Sequence, residues 1–368
     1  MTEQPTPTPR PSQKPSNEFE ALRKRLTEAL SGVFTVDAGY VDEGGRMVLR
    51  GSRVAASDYD AIRARCEDAG TTPLMRDAAD GKIELVILPS LARPLRQNKW
   101  LNAALLFAAC ATVFVVGSAT ADGSMDAGEG LLYMIGLMLP LAAHELGHYL
   151  VARRNGTPTS LPYFIPLPAA PGTFGAVMVQ REPWKNRRIL LEVGLAGPIA
   201  GFLVAAPLFV IGALLSHPAT TPLPQGQATF LGDSIYTYLV GTLTHGMAWT
   251  DPNIIMLSNL GVGAWFALLI TGLNLVPAGQ LDGGHIAYAL LGPRARFVSY
   301  AAIAIMLALA YFLSSPLMGW AVLLFLLGRD HPPVLDDTEP LGTRQIVLIV
   351  LGALLLLITF VPNPLSSG

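Results

Sequence analysis

From Leu101 to its end the sequence is a succession of apolar runs. Such a chain has few ways to satisfy its backbone polar groups other than helices that span a bilayer. The runs fall at about 101–120, 130–152, 189–215, 254–276, 297–313, 316–328 and 345–362, and a spanning helix needs about 20 residues. The 316–328 run is short, so the pair after Pro293 reads either as a helical hairpin or as one span with a re-entrant piece. Charge agrees with this reading: 14% of residues are charged, against about 25% in a soluble domain. The expectation is an all-α polytopic membrane protein of about six or seven transmembrane helices, set in the lipid bilayer. The net charge of -2 gives no reason to expect nucleic acid as a partner.

The first hundred residues differ. Residues 1–16 are rich in Pro, Thr and Ser and read as a disordered tail. Residues 17–92 read as a small soluble α+β domain. Leu22, Leu26 and Leu30 recur at helical spacing, Val33–Val36, Met47–Leu49 and Ile83–Leu88 read as strands, and Ser57 is placed to cap a second helix ending near Gly70. The first apolar run starts too late for a cleavable signal peptide. Cys66 and Cys110 lie in regions of different character, which argues against a disulfide between them and offers no cysteine-based zinc site. Under alternate crossing, Arg93, Arg96 and Lys99, then Arg153 and Arg154, then Arg181, Lys185, Arg187 and Arg188, then Arg294, Arg296, Arg329 and Arg344 all fall on one side. The positive-inside rule makes that side, and the N-terminal domain, cytoplasmic. Loop 216–252 then lies outside.

Ionisable groups within apolar runs are costly and usually functional. The second run carries His144-Glu145-Leu146-Gly147-His148 near its cytoplasmic end. On a helix, residues four apart share a face, so both imidazoles can bind one zinc ion while Glu145 acts on a water. Six His and twelve Glu in random order would give this pattern about three times in a thousand such chains. A structural His pair in a helix bundle is the plainer explanation, and three ionisable groups within five residues of an apolar run weaken it. A catalytic zinc usually takes three protein ligands. The best third ligand is Asp282, in Asn274-Leu-Val-Pro277-Ala-Gly-Gln-Leu-Asp282-Gly283-Gly284-His285. Taken alone, Asp282 reads better as the cap of a helix over 286–291.

Together these two motifs resemble the site-2 protease family of intramembrane zinc metalloproteases, with Asn274, Pro277, Asp282 and Gly283 at the spacing of its second motif. Gly172-Thr-Phe174-Gly175-Ala176 resembles that family's re-entrant β-hairpin, and Ala196-Gly197-Pro198 its central-helix signature. The resemblance covers roughly residues 130–292. With a soluble domain in front and no inserted PDZ domain, the chain looks most like the bacterial relatives of the plant plastid proteases named for ethylene-dependent gravitropism deficiency. The resemblance implies one Zn2+ held by His144, His148 and Asp282, with Glu145 as general base and then proton donor. It implies that Asn274 bonds the substrate carbonyl or the oxyanion, that Gly172, Phe174 and Gly175 bind substrate, and that the substrates are membrane-spanning proteins. The domain expectation is then 97–292 for the metalloprotease core and 293–368 for additional C-terminal helices.

Segment 160–180 is too rich in Pro and Gly for a spanning helix, and both its flanks are basic, so a re-entrant excursion fits. Within it, Gly175–Val179 is expected to offer a strand edge to an unwound substrate. His285 is expected to be a polar residue near the cytoplasmic boundary, with a role beside the metal site as the other reading. His217, His245 and His331 read as solvated, Glu192 as the i,i+4 partner of Arg188, and Gly194, Ala196, Gly197 and Gly201 as helix-packing residues. Two rival functions stay in view. One is a catalytically idle scaffold or chaperone, disfavoured by an intact Glu145. The other is a metal transporter, disfavoured by the lack of repeated halves.

Overall fold

The structure, a computed structural model, describes residues 17–54, 57–91, 98–120, 123–180, 182–218, 229–246, 255–313, 316–327 and 330–367. The tail expected over 1–16, and Arg93, Arg96, Arg181 and Arg329 of the charge pattern, lie outside these residues. The chain divides into two compact units, one of Met1–Ala92 with Leu335–Thr338 and one of Arg93–Val334 with Glu339–Gly368.

The first unit runs α1 (Asn17–Ala29), β1 (Phe34–Val41), β2 (Met47–Arg53), α2 (Tyr59–Asp68), β3 (Thr71–Asp77) and β4 (Ile83–Pro89). The strands form one antiparallel sheet in the order β1-β2-β4-β3. Alternation along the strands sorts the side chains: Met47, Leu49, Met75, Leu85 and Ile87 pack with Leu26, Leu30, Ile62 and Cys66, while Val48, Leu74 and Val86 form a separate cluster. Strand β3 has no counterpart in the sequence reading, because Pro73 interrupts its pattern. Pro73 is tolerated because β3 stands at the sheet edge, where no ladder bond needs its missing N–H. Beside it runs Leu335–Thr338: Met75 N–H donates to Leu335 O at 2.7 Å, and Asp337 N–H donates to Met75 O at 3.0 Å. Asp58, and not Ser57, caps α2, its side chain accepting from Ala61 N–H. The Ser57 hydroxyl is committed to the carbonyls of Val33 and Val54.

The second unit is mostly helical. Its elements are α3 (Lys99–Ser118), α4 (Ala127–Arg154), a hairpin of β5 (Tyr163–Pro166) and β6 (Thr173–Val177), α5 (Arg187–Leu214), α6 (Ile235–His245), α7 (Asn259–Asn274), α8 (Asp282–Leu291), α9 (Ala295–Phe312), α10 (Pro316–Leu327) and α11 (Thr343–Thr359). Among the described residues, four helical stretches are long and apolar enough to cross a membrane: α3, α4, α5 and the Asp282–Phe312 stretch formed by α8 and α9. Helices α7 and α11 are apolar but shorter.

Two expectations change here. Loop 216–252 contains α6, started by a Ser234–Thr237 capping box and stopped by Gly246 at φ 69°. At 11 residues it is too short to register as a span. The expected run 254–276 narrows to α7, because Ile255–Met256 instead pair as a short strand with His217–Pro218. Helix α4 is central, packed by α3, α5 and α7. Close approach of α4 and α7 requires small residues: a Cβ on Gly136 would lie 2.4 Å from Leu260 O, and one on Gly263 2.4 Å from Tyr133 O.

Candidate metal centre

His144, Glu145 and His148 all lie on the C-terminal half of α4 and are buried, at 2%, 7% and 6% exposure. The His148 ring is aimed by its backbone neighbour, its Nδ1 standing 2.7 Å from Val193 O of α5. A carbonyl can only accept, so Nδ1 carries the hydrogen and Nε2 of the neutral ring is a lone pair. That lone pair faces His144 Nε2 at 3.1 Å and Asp282 Oδ1 at 3.2 Å. His144 Nε2 lies 3.2 Å from Asp282 Oδ2, an oxygen that is buried without a hydrogen bond.

The two imidazole Nε2 atoms and the two Asp282 oxygens thus converge in a buried spot where Oδ2 has no hydrogen-bond donor. Ligand atoms 2.0–2.1 Å from a tetrahedral zinc ion stand about 3.3–3.4 Å apart. The 3.1 Å between the two Nε2 atoms, and the 3.2 Å from each of them to one Asp282 oxygen, are close to that spacing. Two imidazoles and a carboxylate are also a ligand set of catalytic zinc. The residues therefore fit the ion, and they are the one group of this kind found among the described residues.

The backbone around Asp282 explains how it gets there. Helix α7 ends at Asn274, the chain turns through Val276–Leu281, and α8 begins at Asp282. Asp282 does not cap α8: the cap position is Leu281, with no side-chain hydrogen bond. The turn folds so closely onto α8 that a Cβ on Gly283 would meet Leu275 O at 2.0 Å and one on Gly284 would meet Gly279 O at 2.2 Å. The Gly-Gly pair thus lets the turn lie against the first turn of α8.

Helix α5 supplies the wall behind the imidazoles. A Cβ on Gly197 would come 2.0 Å from His148 Nε2, one on Gly201 3.2 Å from His144 Cβ and Nδ1, and one on Gly194 2.8 Å from His285 Cβ. By sequence these glycines read as helix-packing residues; in the structure they make room for the histidines. The available signal was their spacing, 194, 197 and 201, which is one face of a helix.

A cavity of about 680 Å³ opens onto the centre and is lined by His144, Glu145, His148, Asp282 and Asn274 together with residues 176–180, from the end of β6 onward. Gly172, Phe174 and Gly175 do not line it. Gly172 packs against Val113 of α3, and Phe174 is 69% exposed. Three of the other ionisable residues, Glu192, His245 and His331, depart from their expected settings. Glu192 pairs with Arg344 at 3.5 Å, not with Arg188. His245 Nε2 bonds Ala213 O at 2.7 Å. His331 is only partly solvated: its Nε2 meets His285 Nδ1 at 2.7 Å, and partial burial lowers it to about 4, leaving it neutral at pH 7. His217 is exposed, as expected.

Comparison with known proteins bears on the same region. Residues 132–314 match the model for "Peptidase family M50". The chain is 32% identical over 244 residues to the probable chloroplastic zinc metalloprotease EGY2 of Arabidopsis thaliana, covering 65% of this chain and 43% of that one. It is 30% identical over 242 residues to the probable chloroplastic zinc metalloprotease EGY1 of the same plant, with the same two coverages, 65% and 43%. Against EGY2 of Oryza sativa subsp. indica it is 33% identical over 208 residues, 54% of this chain and 37% of the relative. The chain thus spans less than half the length of these curated relatives. No solved structure matches it.

Proposed function

We propose that this chain, whose residues 132–314 match the model for peptidase family M50, is an intramembrane zinc metalloendopeptidase that hydrolyses peptide bonds in or near the transmembrane segments of other membrane proteins. The observation that carries this reading is the buried triangle of His144 Nε2, His148 Nε2 and an Asp282 carboxylate beside Glu145. Those three residues would hold the ion. Bound zinc supplies a Lewis acid that acidifies a water molecule and polarises a scissile carbonyl.

The protein's own groups do the rest. Glu145 takes the proton of the attacking water on its carboxylate and gives it to the departing amine nitrogen. The Asn274 side-chain amide donates to the substrate carbonyl oxygen as negative charge develops there. Val193 O holds the His148 tautomer that leaves Nε2 free.

The proposal extends to placement. The chain crosses the membrane about six or seven times, with the N-terminal unit in the cytoplasm and the site near the cytoplasmic side, which the one-sided distribution of Lys and Arg supports. The β5–β6 hairpin is a re-entrant element, and residues 176–180, from the end of β6 onward, which line the cavity, receive an unwound substrate as an added strand. Val177→Pro removes a backbone donor there, so cleavage that continues unchanged in this variant refutes the strand-addition step.

The test is cleavage of single-span substrates by the purified chain in liposomes, wild type against Glu145→Gln, with zinc measured in both. Cleavage by wild type alone, at about one zinc per chain in each protein, supports the enzyme. A folded wild type that takes up no zinc refutes it and favours a scaffold role.

A further inference from the structure

Three residues beyond Asp282, His285 leaves the first turn of α8 and meets a residue far away in sequence. Its Nδ1 lies 2.7 Å from His331 Nε2, in the loop between α10 and α11. His331 Nδ1 in turn lies 2.6 Å from Pro332 O. The hydrogen positions follow in order. Pro332 O can only accept, so His331 Nδ1 carries a hydrogen, and His331 Nε2, in a ring neutral at pH 7, is a lone pair. His285 Nδ1 must therefore be the donor between the two rings.

The loop is well placed to hold that bond. Two prolines follow His331, and Val334 beyond them is fully buried in a cluster with Trp184 and Tyr288. The His331 ring stacks on Tyr288, centroids 4.5 Å apart and planes 29° apart. The His285 ring stands edge-on to Trp184 at 6.1 Å. Behind His285, α5 comes so close that Gly194 has no room for a Cβ. The first turn of α8 is thus gripped by α5 on one side and by His331 on another. The Asp282 carboxylate departs from that same turn, and its two oxygens must keep 3.2 Å from two different imidazoles.

We propose that His331 is a positioning residue for the metal centre: by accepting from His285 it fixes the first turn of α8 and thereby the reach of Asp282 toward His144 and His148. The proposal rests on the zinc-site reading above. Metal–ligand distances are held to about ±0.2 Å, so a small rotation of this turn is enough to spoil the site. Loss of a hydrogen bond made directly to a ligand typically costs about 10–100-fold in metal affinity; His331 acts one step further back, so the lower end of that range is expected.

The experiment titrates Co2+ into the metal-free full chain in detergent and reads the cobalt absorption spectrum, with Zn2+ competition for affinity. His331→Phe keeps a ring to stack on Tyr288 but offers no acceptor, and should lose about 10-fold or more in affinity with an altered spectrum. His331→Gln places an amide oxygen near the position of Nε2 and should bind within about threefold of wild type. His285→Phe removes the same bond from the other end, so the double Phe variant should be no weaker than the worse single.

Should His331→Phe not purify folded, His331→Asn is the substitute, since its amide is too short to reach His285, and it carries the same expected loss. Wild-type affinity and spectrum in His331→Phe or His331→Asn overturn the proposal, as does a double variant whose loss is the product of the two single losses. His144→Ala is the control on the underlying reading. If it binds Co2+ as wild type does, the zinc site fails and this inference fails with it; if it alone loses binding, only the His331 role is refuted.

Discussion

Adding one methyl group at Gly197 should dismantle the metal centre from behind. The Cβ of Gly197→Ala would sit 2.0 Å from His148 Nε2 and 2.5 Å from Cδ2 and Cε1. To restore an ordinary 3.4 Å contact the ring has to retreat by roughly 1.4 Å. It has nowhere to go without loss. Its Nδ1 is tied to Val193 O at 2.7 Å, and Nε2 already faces His144 and Asp282 at 3.1 and 3.2 Å. The helices cannot separate easily either, since Gly147 of α4 lies so close to Ala196 O that its own Cβ would be 2.5 Å away.

A displacement of 1.4 Å is about seven times the ±0.2 Å that a zinc ligand tolerates, so His148 drops out of the ligand set. Overpacking adds about 1–3 kcal/mol of destabilisation, which the rest of the helical unit can absorb. The expected result is a folded protein that has lost zinc, with affinity down by at least about 100-fold and no cleavage. The assay is metal content by mass spectrometry on detergent-purified protein, beside a thermal melt. Gly319→Ala, on α10 with no atom within 4 Å of the added Cβ, is the matched control and should keep its metal. One zinc per chain at wild-type affinity in Gly197→Ala would refute the reasoning that the glycine makes room for a ligand.

Glu145→Gln should keep the metal, because Glu145 is not one of the three clustered residues. Single-turnover cleavage should fall by about 100- to 10,000-fold, the usual contribution of a general base, and a smaller loss argues for another base. Cys66 is fully buried and burial pushes its thiol up to about 12, so very little thiolate is present at pH 8. N-ethylmaleimide at pH 8 should leave Cys66 unlabelled in the native chain and label it in denaturant, and rapid native labelling by mass spectrometry would contradict the burial. Leu335→Ala empties a position 1% exposed in the core of the first unit. It should lower that unit's stability by about 2–4 kcal/mol, read as faster amide exchange at β3 and β4; unchanged exchange there would show that the 335–338 segment is dispensable to the sheet.

The sequence alone determined what is local. Apolar run length gave α3, α4, α5 and α9 to within a few residues, since a helix satisfies its own backbone and its signal is carried by consecutive residues. The pairing of His144 with His148 was legible for the same reason: residues four apart on a helix must share a face. Sequence also placed the strands beginning near Phe34, Met47 and Ile83, but not β3, whose Pro73 is acceptable only at a sheet edge, and edge position is a property of the assembled sheet. Asp282 lies between these cases. Its motif resemblance singled it out, but its own neighbours read as a helix cap, and only the close fold of the Val276–Leu281 turn onto α8 aims it at the imidazoles.

Tertiary structure alone decided three further points. The glycine face of α5 accommodates histidines and not merely another helix backbone. The chain lines the cavity with residues 176–180, at and just beyond the end of β6. His331 belongs with His285, 46 residues earlier in the chain. In each case the partner is distant in sequence, and no periodicity links the two. Which groups meet is set by how helices close-pack around small residues, and that depends on every side chain in the interface at once.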